Sequence, residues 1–325
     1  MSSEVATADD SEVPVLGLVV HPTRAVGESV STILSWARTH AVRVVARDRD
    51  RDRVTGKIDT LPDPEFVAQL KGLVALGGDG TMLGAMRLVA ERPVPVLGVN
   101  HGNLGFLVEV TPDTLETALA RLVDGDFTIE CHGCLLVACG SGRPFRTDTG
   151  FNDIVLARRS RTGTISLDLT VNDQQYGYYR CDALVLATPS GSTAYNYAAG
   201  GPIVSPSASA IVITPVAAMA GIGRAIVLGA GDRVSLHIDP DSAPVYLDVD
   251  GTPSAELEPG DVLTAQLRED AGQVVRLSAG THARRSRIKL SLLDLPLRRD
   301  QLLELIPENL RLHGEAIQDP ELGDG

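Results

Sequence analysis

The chain has 325 residues, long for one domain and sufficient for two with a core each. Acidic side chains outnumber basic ones 42 to 29, and the formal charge of −13 repels a polyanionic backbone, which argues against nucleic-acid binding. No apolar run reaches the roughly 18 residues a membrane helix needs, and residues 1–11, with Glu4, Asp9 and Asp10 but no basic side chain, read as a short disordered leader, not a secretory signal; a cytoplasmic protein is expected.

Residues 13–20 form an apolar, β-branched run that stops at His21-Pro22, which predicts a buried strand. A helix is predicted over 27–39 and a second strand over 41–46. Residues 47–53 alternate basic and acidic side chains and read as a solvated turn. A third strand is predicted over 72–76, and a helix over 81–91 with Met82, Ala85, Met86 and Val89 on one face. The fourth strand spans 94–99. Thr111-Pro112-Asp113 then supplies an N-cap and a proline at the first helical position, and Gly125 closes that helix. Strands separated by helices imply an α/β domain with a doubly wound parallel sheet over residues 12–125.

From Asp126 the texture changes. Runs at 165–171, 183–187, 211–214, 234–238 and 245–249 are separated by Gly, Pro, Asn or Asp turns, which predicts a β-rich second domain over 126–286. The segment 287–325 is expected to pack back on the first domain, with 319–325 frayed. Cys131-His132-Gly133-Cys134, with Cys139 nearby, raises a zinc site. There is no second CxxC, however, and residues 135–138 look like a strand. The cysteines, Cys181 included, therefore read as reduced core residues, and no metal ligand is assigned.

The most informative segment is Leu76-Gly77-Gly78-Asp79-Gly80-Thr81, between a predicted strand and helix. Glycines there let the backbone approach a phosphate, and the helix N-terminus supplies N–H groups and partial positive charge. An aspartate is ill suited to hold phosphate by charge. It fits a general base or a carboxylate on the magnesium side, with a plain Asp-Gly turn as the bland alternative. Asn100-His101-Gly102-Asn103-Leu104-Gly105-Phe106-Leu107 follows the fourth strand, where an open α/β sheet places its ligand crevice. Farther on stand Phe151-Asn152-Asp153-Ile154-Val155 and Thr188-Pro189-Ser190-Gly191-Ser192-Thr193-Ala194-Tyr195, continuing to Ala198-Ala199-Gly200-Gly201-Pro202. Their hydroxyls and amides suit a ribose, an amide or a pyrophosphate; each alone is equally a capped polar turn.

Together, and in this order, the four segments resemble the NAD kinase family, within a wider group that includes diacylglycerol and sphingosine kinases and phosphofructokinases. GGDGT is shared across that group, whereas the second and fourth runs resemble NAD kinases in particular. The resemblance spans roughly residues 13–277. It implies a dinucleotide between the two domains, ATP or polyphosphate as donor with Mg2+ or another divalent cation, and homodimers or homotetramers. Asp79 matches the family's catalytic aspartate, which takes the proton from the 2′-hydroxyl of the adenosine ribose. Gly77, Gly78, Gly80, Thr81 and Asn100 fall in its nucleotide-binding loops. Asn152 and Asp153 match an Asn-Glu pair on the ribose and nicotinamide side, and Asp182 an aspartate that contacts the dinucleotide. Thr193, Ala194, Tyr195, Asn196 and Ala198 match the segment lining adenine and ribose. Arg161, with Arg158 and Arg159, is positioned in sequence to meet a phosphate or to form an exposed charge run.

The chain departs from the family at Asp153 (Glu there), Ala183 (Gly), Ser190 (Thr) and Thr252 (Gln), and Val216-Ala217-Ala218-Met219 replaces a Pro-His-Ser-Leu-Ser run. These changes bear on the acceptor, not on the intact GGDGT loop. NAD phosphorylation is therefore the expected activity. A kinase for another nucleoside or nucleotide is the alternative, followed by an idle dinucleotide-binding regulator and a lipid kinase.

Overall fold

The computed structural model describes residues 13–102, 105–140, 146–159 and 163–278. Arg161, Asn103, Leu104 and the expected packing of residues 287–325 lie outside the described residues.

The first lobe runs β1 (Val15–Val20), α1 (Gly27–Thr39), β2 (Arg43–Arg47), β3 (Asp59–Leu61), α2 (Asp63–Gln69), β4 (Gly72–Gly77), α3 (Asp79–Leu88), β5 (Pro95–Asn100) and α4 (Leu115–Asp124). Its strands are parallel in the order β3-β2-β1-β4-β5. The apolar runs of β1, β4 and β5 are continuous because both sheet faces are covered. Leu18, Val74 and Leu97 meet Ile33 and Trp36 of α1 and Leu119 of α4 on one face. Val19, Ala75 and Val96 meet Phe66 of α2 and Met82 and Met86 of α3 on the other. Helices on both faces make the sheet doubly wound, as expected. Thr111 caps its turn in a box with Thr114, and Gly125, at φ 74°, ends α4.

After Gly125 the chain enters a β-rich lobe: β6 (Thr128–Cys139), β7 (Arg146–Gly150), β8 (Asp153–Arg158), β9 (Ile165–Val171), β10 (Gln174–Cys181), β11 (Ala183–Ala187), the short α5 (Tyr195–Ala198), β12 (Ala210–Val216), β13 (Ala220–Gly221), β14 (Ile226–Gly229), β15 (Val234–Ile238), β16 (Val245–Val249), β17 (Thr252–Leu257) and β18 (Val262–Arg276). One antiparallel sheet has the order β14-β12-β11-β8-β16-β17. It packs on β6, β9, β10, β15 and β18 over a core that includes Leu156, Leu186, Ile213, Leu247, Leu169 and Leu236. That second layer continues into the first lobe. The far end of β18 pairs in parallel with β5, through Gln273↔Pro95 and Val274↔Val96, so one sheet runs through both lobes.

Candidate active site

In the first lobe β1 has β2 on one side and β4 on the other, so the strand order reverses beside it. A crevice must open at the carboxyl ends of strands that diverge in this way. A cleft of about 640 Å3 lies there, lined by Val20, His21, Arg24, Arg47, Gly78–Thr81, Arg87 and Gly105 among others. Helix α3 starts at Asp79, directly after β4 and Gly78, so its N-terminal turn and positive dipole end face the cleft. The Asp79 carboxylate is held from the loop after β5. Phe106 N–H donates to Oδ2 at 2.8 Å and Leu107 N–H to Oδ1 at 3.0 Å. Gly105 permits this approach, because a Cβ there would stand 2.0 Å from Asp79 Oδ1. The same loop is tied to β4 where His101 N–H donates to the Gly77 carbonyl at 2.8 Å, and Asn100 Oδ1 accepts Gly102 N–H at 2.9 Å to shape the turn. Gly77 and Asn100 therefore build the loops, whereas Gly78, Asp79, Gly80 and Thr81 line the cleft itself.

The reading of residues 47–53 as a solvated turn is corrected. Residues Asp48–Arg53 form a 3-10 helix folded against the cleft, and Arg47, Arg49, Asp50 and Arg53 line it. Arg47 is buried and grips Asp63 with two hydrogen bonds of 2.9 Å, and Arg49 reaches the same carboxylate. Asp50 is 2% exposed and pairs with Arg53 at 3.3 Å, while its Oδ2 has no partner. Burial pushes the Asp50 carboxyl up, against the pull of Arg47, Arg53 and Arg49. Alternating charges masked this in the sequence, since the pairing partner Asp63 lies on another element. Arg24 completes the basic lip, donating to the His101 carbonyl at 2.7 Å. Burial first, then the Arg24 charge, lowers the pKa of both His21 and His101.

The second lobe presents its own cluster where β8 starts. Asp250, in the turn between β16 and β17, is a buried carboxylate that accepts three successive N–H groups: Phe151 at 3.1 Å, Asn152 at 2.7 Å and Asp153 at 3.2 Å. Arg87 of α3 stands 3.5 Å from it and donates to the Val249 carbonyl at 3.1 Å, so the helix that begins at Asp79 also anchors the opposite lobe. Asp153 is buried beside Asp250. Desolvation and the Asp250 charge push its pKa up to about 6, although the Tyr195 N–H donates to it. The carbonyl of Asn152 accepts Thr188 N–H at 2.9 Å, and Gly191 packs so closely that a Cβ would lie 1.9 Å from that oxygen. The Asn152-Asp153 pair and the 188–195 turn are thereby brought together.

Other expected residues fall elsewhere. Asn196 is fully buried, with its amide nitrogen donating to the Ser192 and Pro202 carbonyls and its oxygen accepting from Thr214. It shapes the segment from within. Thr193 and Ala194 are half-buried, and Tyr195 and Ala198 are exposed. Asp182 sits at the opposite end of β11 from Thr188, in an ion pair of 3.3 Å with Arg158. Arg159 pairs with Glu256 at 2.9 Å on the surface. Cys134, Cys139 and Cys181 are buried and Cys131 is exposed. Among the described residues no group of three or more His, Cys, Asp or Glu side chains converges.

Asp250, Arg87 and the arginines of the lip were missed as site residues. Asp250-Gly251 is legible as a hairpin turn, but which amides its carboxylate caps depends on strands roughly 100 residues apart, which no local pattern reveals. The comparisons agree with this two-lobe arrangement. The profile described as "ATP-NAD kinase N-terminal domain" matches residues 16–127, and "ATP-NAD kinase C-terminal domain" matches 151–277. The "NAD kinase" of Moorella thermoacetica is 32% identical over 256 residues, 79% of this chain and 82% of that protein. In fold, the chain resembles yeast NADH kinase complexed with NADH (TM-score 0.78, 22% identity, 89% of this chain and 91% of that one). It also resembles an NAD kinase from Archaeoglobus fulgidus in complex with ATP (TM-score 0.65, 22% identity, 85% and 98%). With both lobes matched in order and the relative aligned over most of its length, the chain belongs to the ATP-NAD kinase family.

Proposed function

We propose that the protein transfers the terminal phosphoryl group of ATP to the 2′-hydroxyl of the adenosine ribose of NAD, with Asp79 as general base. The observation that carries this is the Asp79 carboxylate, fixed by two backbone N–H groups at the mouth of α3 in the cleft at the sheet's switch point. Each oxygen accepts one of these bonds, and a carboxylate oxygen has two acceptor sites, so the group can also take a hydrogen bond from the ribose hydroxyl. The 2′-oxygen forms a bond to the terminal phosphorus, the bond from that phosphorus to the bridging oxygen breaks, and the proton passes to Asp79. The N-terminus of α3, the Gly78 and Gly80 backbone and Arg24 face the donor phosphates, whether from ATP or polyphosphate. Asn152, Asp153 and the 193–198 segment hold the acceptor, and Asp182 with Arg158 forms a further polar station along the same strands.

Asp79 and Asp50 line the cleft, and among the described residues no group of three or more His, Cys, Asp or Glu side chains converges, which fits a divalent cation that arrives on the donor phosphates. Such a cation, Mg2+ by preference, would neutralise phosphate charge. Assembly as a homodimer or homotetramer, in the cytoplasm and without nucleic acid or membrane partners, completes the proposal. The assembly part of it is supported by Met219, 71% exposed, and by exposed Tyr176 and Tyr178 on β10. No helix of the described residues is long and apolar enough to cross a membrane.

Purified protein given Mg2+ and ATP, or polyphosphate, should convert NAD to NADP by mass, with adenosine and simpler nucleotides the poorer acceptors. Excess EDTA should stop the reaction. Asp79→Asn keeps the shape of the side chain and removes the proton acceptor, so kcat should fall about 100-fold or more with nucleotide binding intact. A variant retaining more than about a tenth of kcat contradicts the base assignment.

A further inference from the structure

A second set of polar side chains lies behind the cleft. Arg276, the last residue of β18, is 5% exposed. Its Nη2 donates to the Phe106 carbonyl at 3.1 Å and its Nη1 to the Leu107 carbonyl at 3.1 Å. Phe106 and Leu107 are the residues whose N–H groups hold Asp79. The peptide unit joining them accepts from Arg276 on one side and donates to Asp79 on the other, an arrangement in which each bond strengthens its neighbour. Arg276 Nε also binds Glu130 Oε2 at 2.5 Å. Glu130 lies on β6, and His132, two residues on, shares its face of the strand. His132 Nε2 is 3.1 Å from Glu130 Oε1, an ion-pair distance without the alignment of a formed hydrogen bond. On its other side, His132 Nδ1 lies 2.9 Å from Ser190 Oγ. Ser190 opens the turn that leads into the 193–198 segment.

The contacts thus run without a break from Asp79 through the 106–107 peptide to Arg276, Glu130, His132 and Ser190. Burial raises the Glu130 pKa, but its close contacts with His132 and Arg276 outweigh it and hold the group down at about 2. A partly buried ionic chain has no general advantage over apolar packing for stability, and the use this one offers is to fix geometry. Arg276 sits at the end of the strand shared by both lobes, where a rigid link between base and acceptor wall has to pass.

We propose that Arg276, Glu130 and His132 are positioning residues that set the Asp79 carboxylate and the Ser190 turn in one register, so that base and acceptor ribose are aligned together. The proposal rests on the reading of Asp79 as base and of residues 193–198 as acceptor wall. Misplacement by about 1 Å costs on the order of 100-fold in rate, so the effect belongs in kcat.

Steady-state kinetics of full-length Arg276→Lys, Glu130→Gln, Ser190→Ala and the Glu130→Gln/Ser190→Ala pair, with thermal melts, form the test. Arg276→Lys and Glu130→Gln should each lower kcat about 10- to 100-fold with KM for ATP within about threefold. Glu130 and Ser190 both lean on His132, so the double variant should lose little more than Glu130→Gln alone. Glu130→Asp, which restores the charge, should recover part of kcat. If Arg276→Lys does not fold, the Glu130/Ser190 pair and His132→Gln decide the matter. Single variants within twofold of wild type, or losses that multiply in the pair, overturn the relay. Asp79→Asn, run alongside, separates the two readings: substantial kcat there rejects the base itself, whatever the relay variants do.

Discussion

Two buried carboxylates, Asp153 and Asp250, stand side by side with one guanidinium between the lobes, and their roles divide by hydrogen bonding. Asp250 is covered by three N–H groups and Arg87, so it serves the backbone. Asp153 has fewer donors and a pKa near 6, chiefly from desolvation, and a bound dinucleotide would supply the missing donors. The folded value lies above the ordinary 3.8, so stability relative to a neutral side chain is complete below about pH 4 and is lost as pH rises through about 6. Asp153→Asn should therefore raise the melting temperature at pH 7.5 and leave it unchanged at pH 4, with up to about 3 kcal/mol involved. The KM for NAD should respond in the opposite sense. In the wild type it should climb several-fold as pH falls from 7 to 5.5, and in Asp153→Asn it should be high and flat. Identical melting shifts at both pH values, together with an unchanged KM, would remove Asp153 from the site. Asp153→Glu adds a methylene in a buried position; weaker NAD binding would show direct contact, and equal or better binding would show contact through water.

At the scale of elements, the strand-to-helix junction at Gly77–Thr81 was legible because several local signals agree there: an apolar strand, paired glycines and a helical period from Met82. The strands at 165–171, 183–187, 234–238 and 245–249 were also read to their ends, since alternating or continuous apolar runs between turn residues leave little choice. In the first lobe, β3 and α2 escaped. β3 has only three residues and α2 seven, too few to show a period, although Asp63-Pro64-Glu65 carries the proline and acids of a helix start. The tie between the 105–107 loop and Asp79 was equally invisible, because it joins segments 27 residues apart through backbone groups. Gly105→Ala tests that tie. Its Cβ would collide with Asp79 Oδ1, so the carboxylate must rotate off its amides, and kcat should fall at least about 10-fold. A circular dichroism spectrum like the wild type would confirm an intact fold, and unchanged kcat would mean that the cradle does not matter.

Across the whole molecule, the lobes are coupled at several places, among them Arg87 with Asp250, Arg276 with the 106–107 carbonyls, and β18 with β5. Asp250→Ala would strand three buried N–H groups and leave Arg87 without its carboxylate. The expected loss is at least about 2–3 kcal/mol, read as a lower denaturation midpoint by chemical unfolding. A loss below about 0.5 kcal/mol would show that water replaces the carboxylate at no cost. The β18 pairing was not foreseen, since nothing local in Gln273 or Val274 identifies a partner in the other lobe. It bears on the order in which the protein can be made. Val96 leaves the ribosome about 180 residues before Val274, which at roughly 5–20 residues per second is on the order of 10 to 35 s. For that interval the far end of β5 is already bonded to Glu109 and Val110, but its start at Pro95 and Val96 lacks its β18 neighbour, an edge that can recruit strands from other chains. A fragment ending at residue 127 should therefore self-associate on sizing columns, and the intact chain should lean on chaperones until its last described strand is in place.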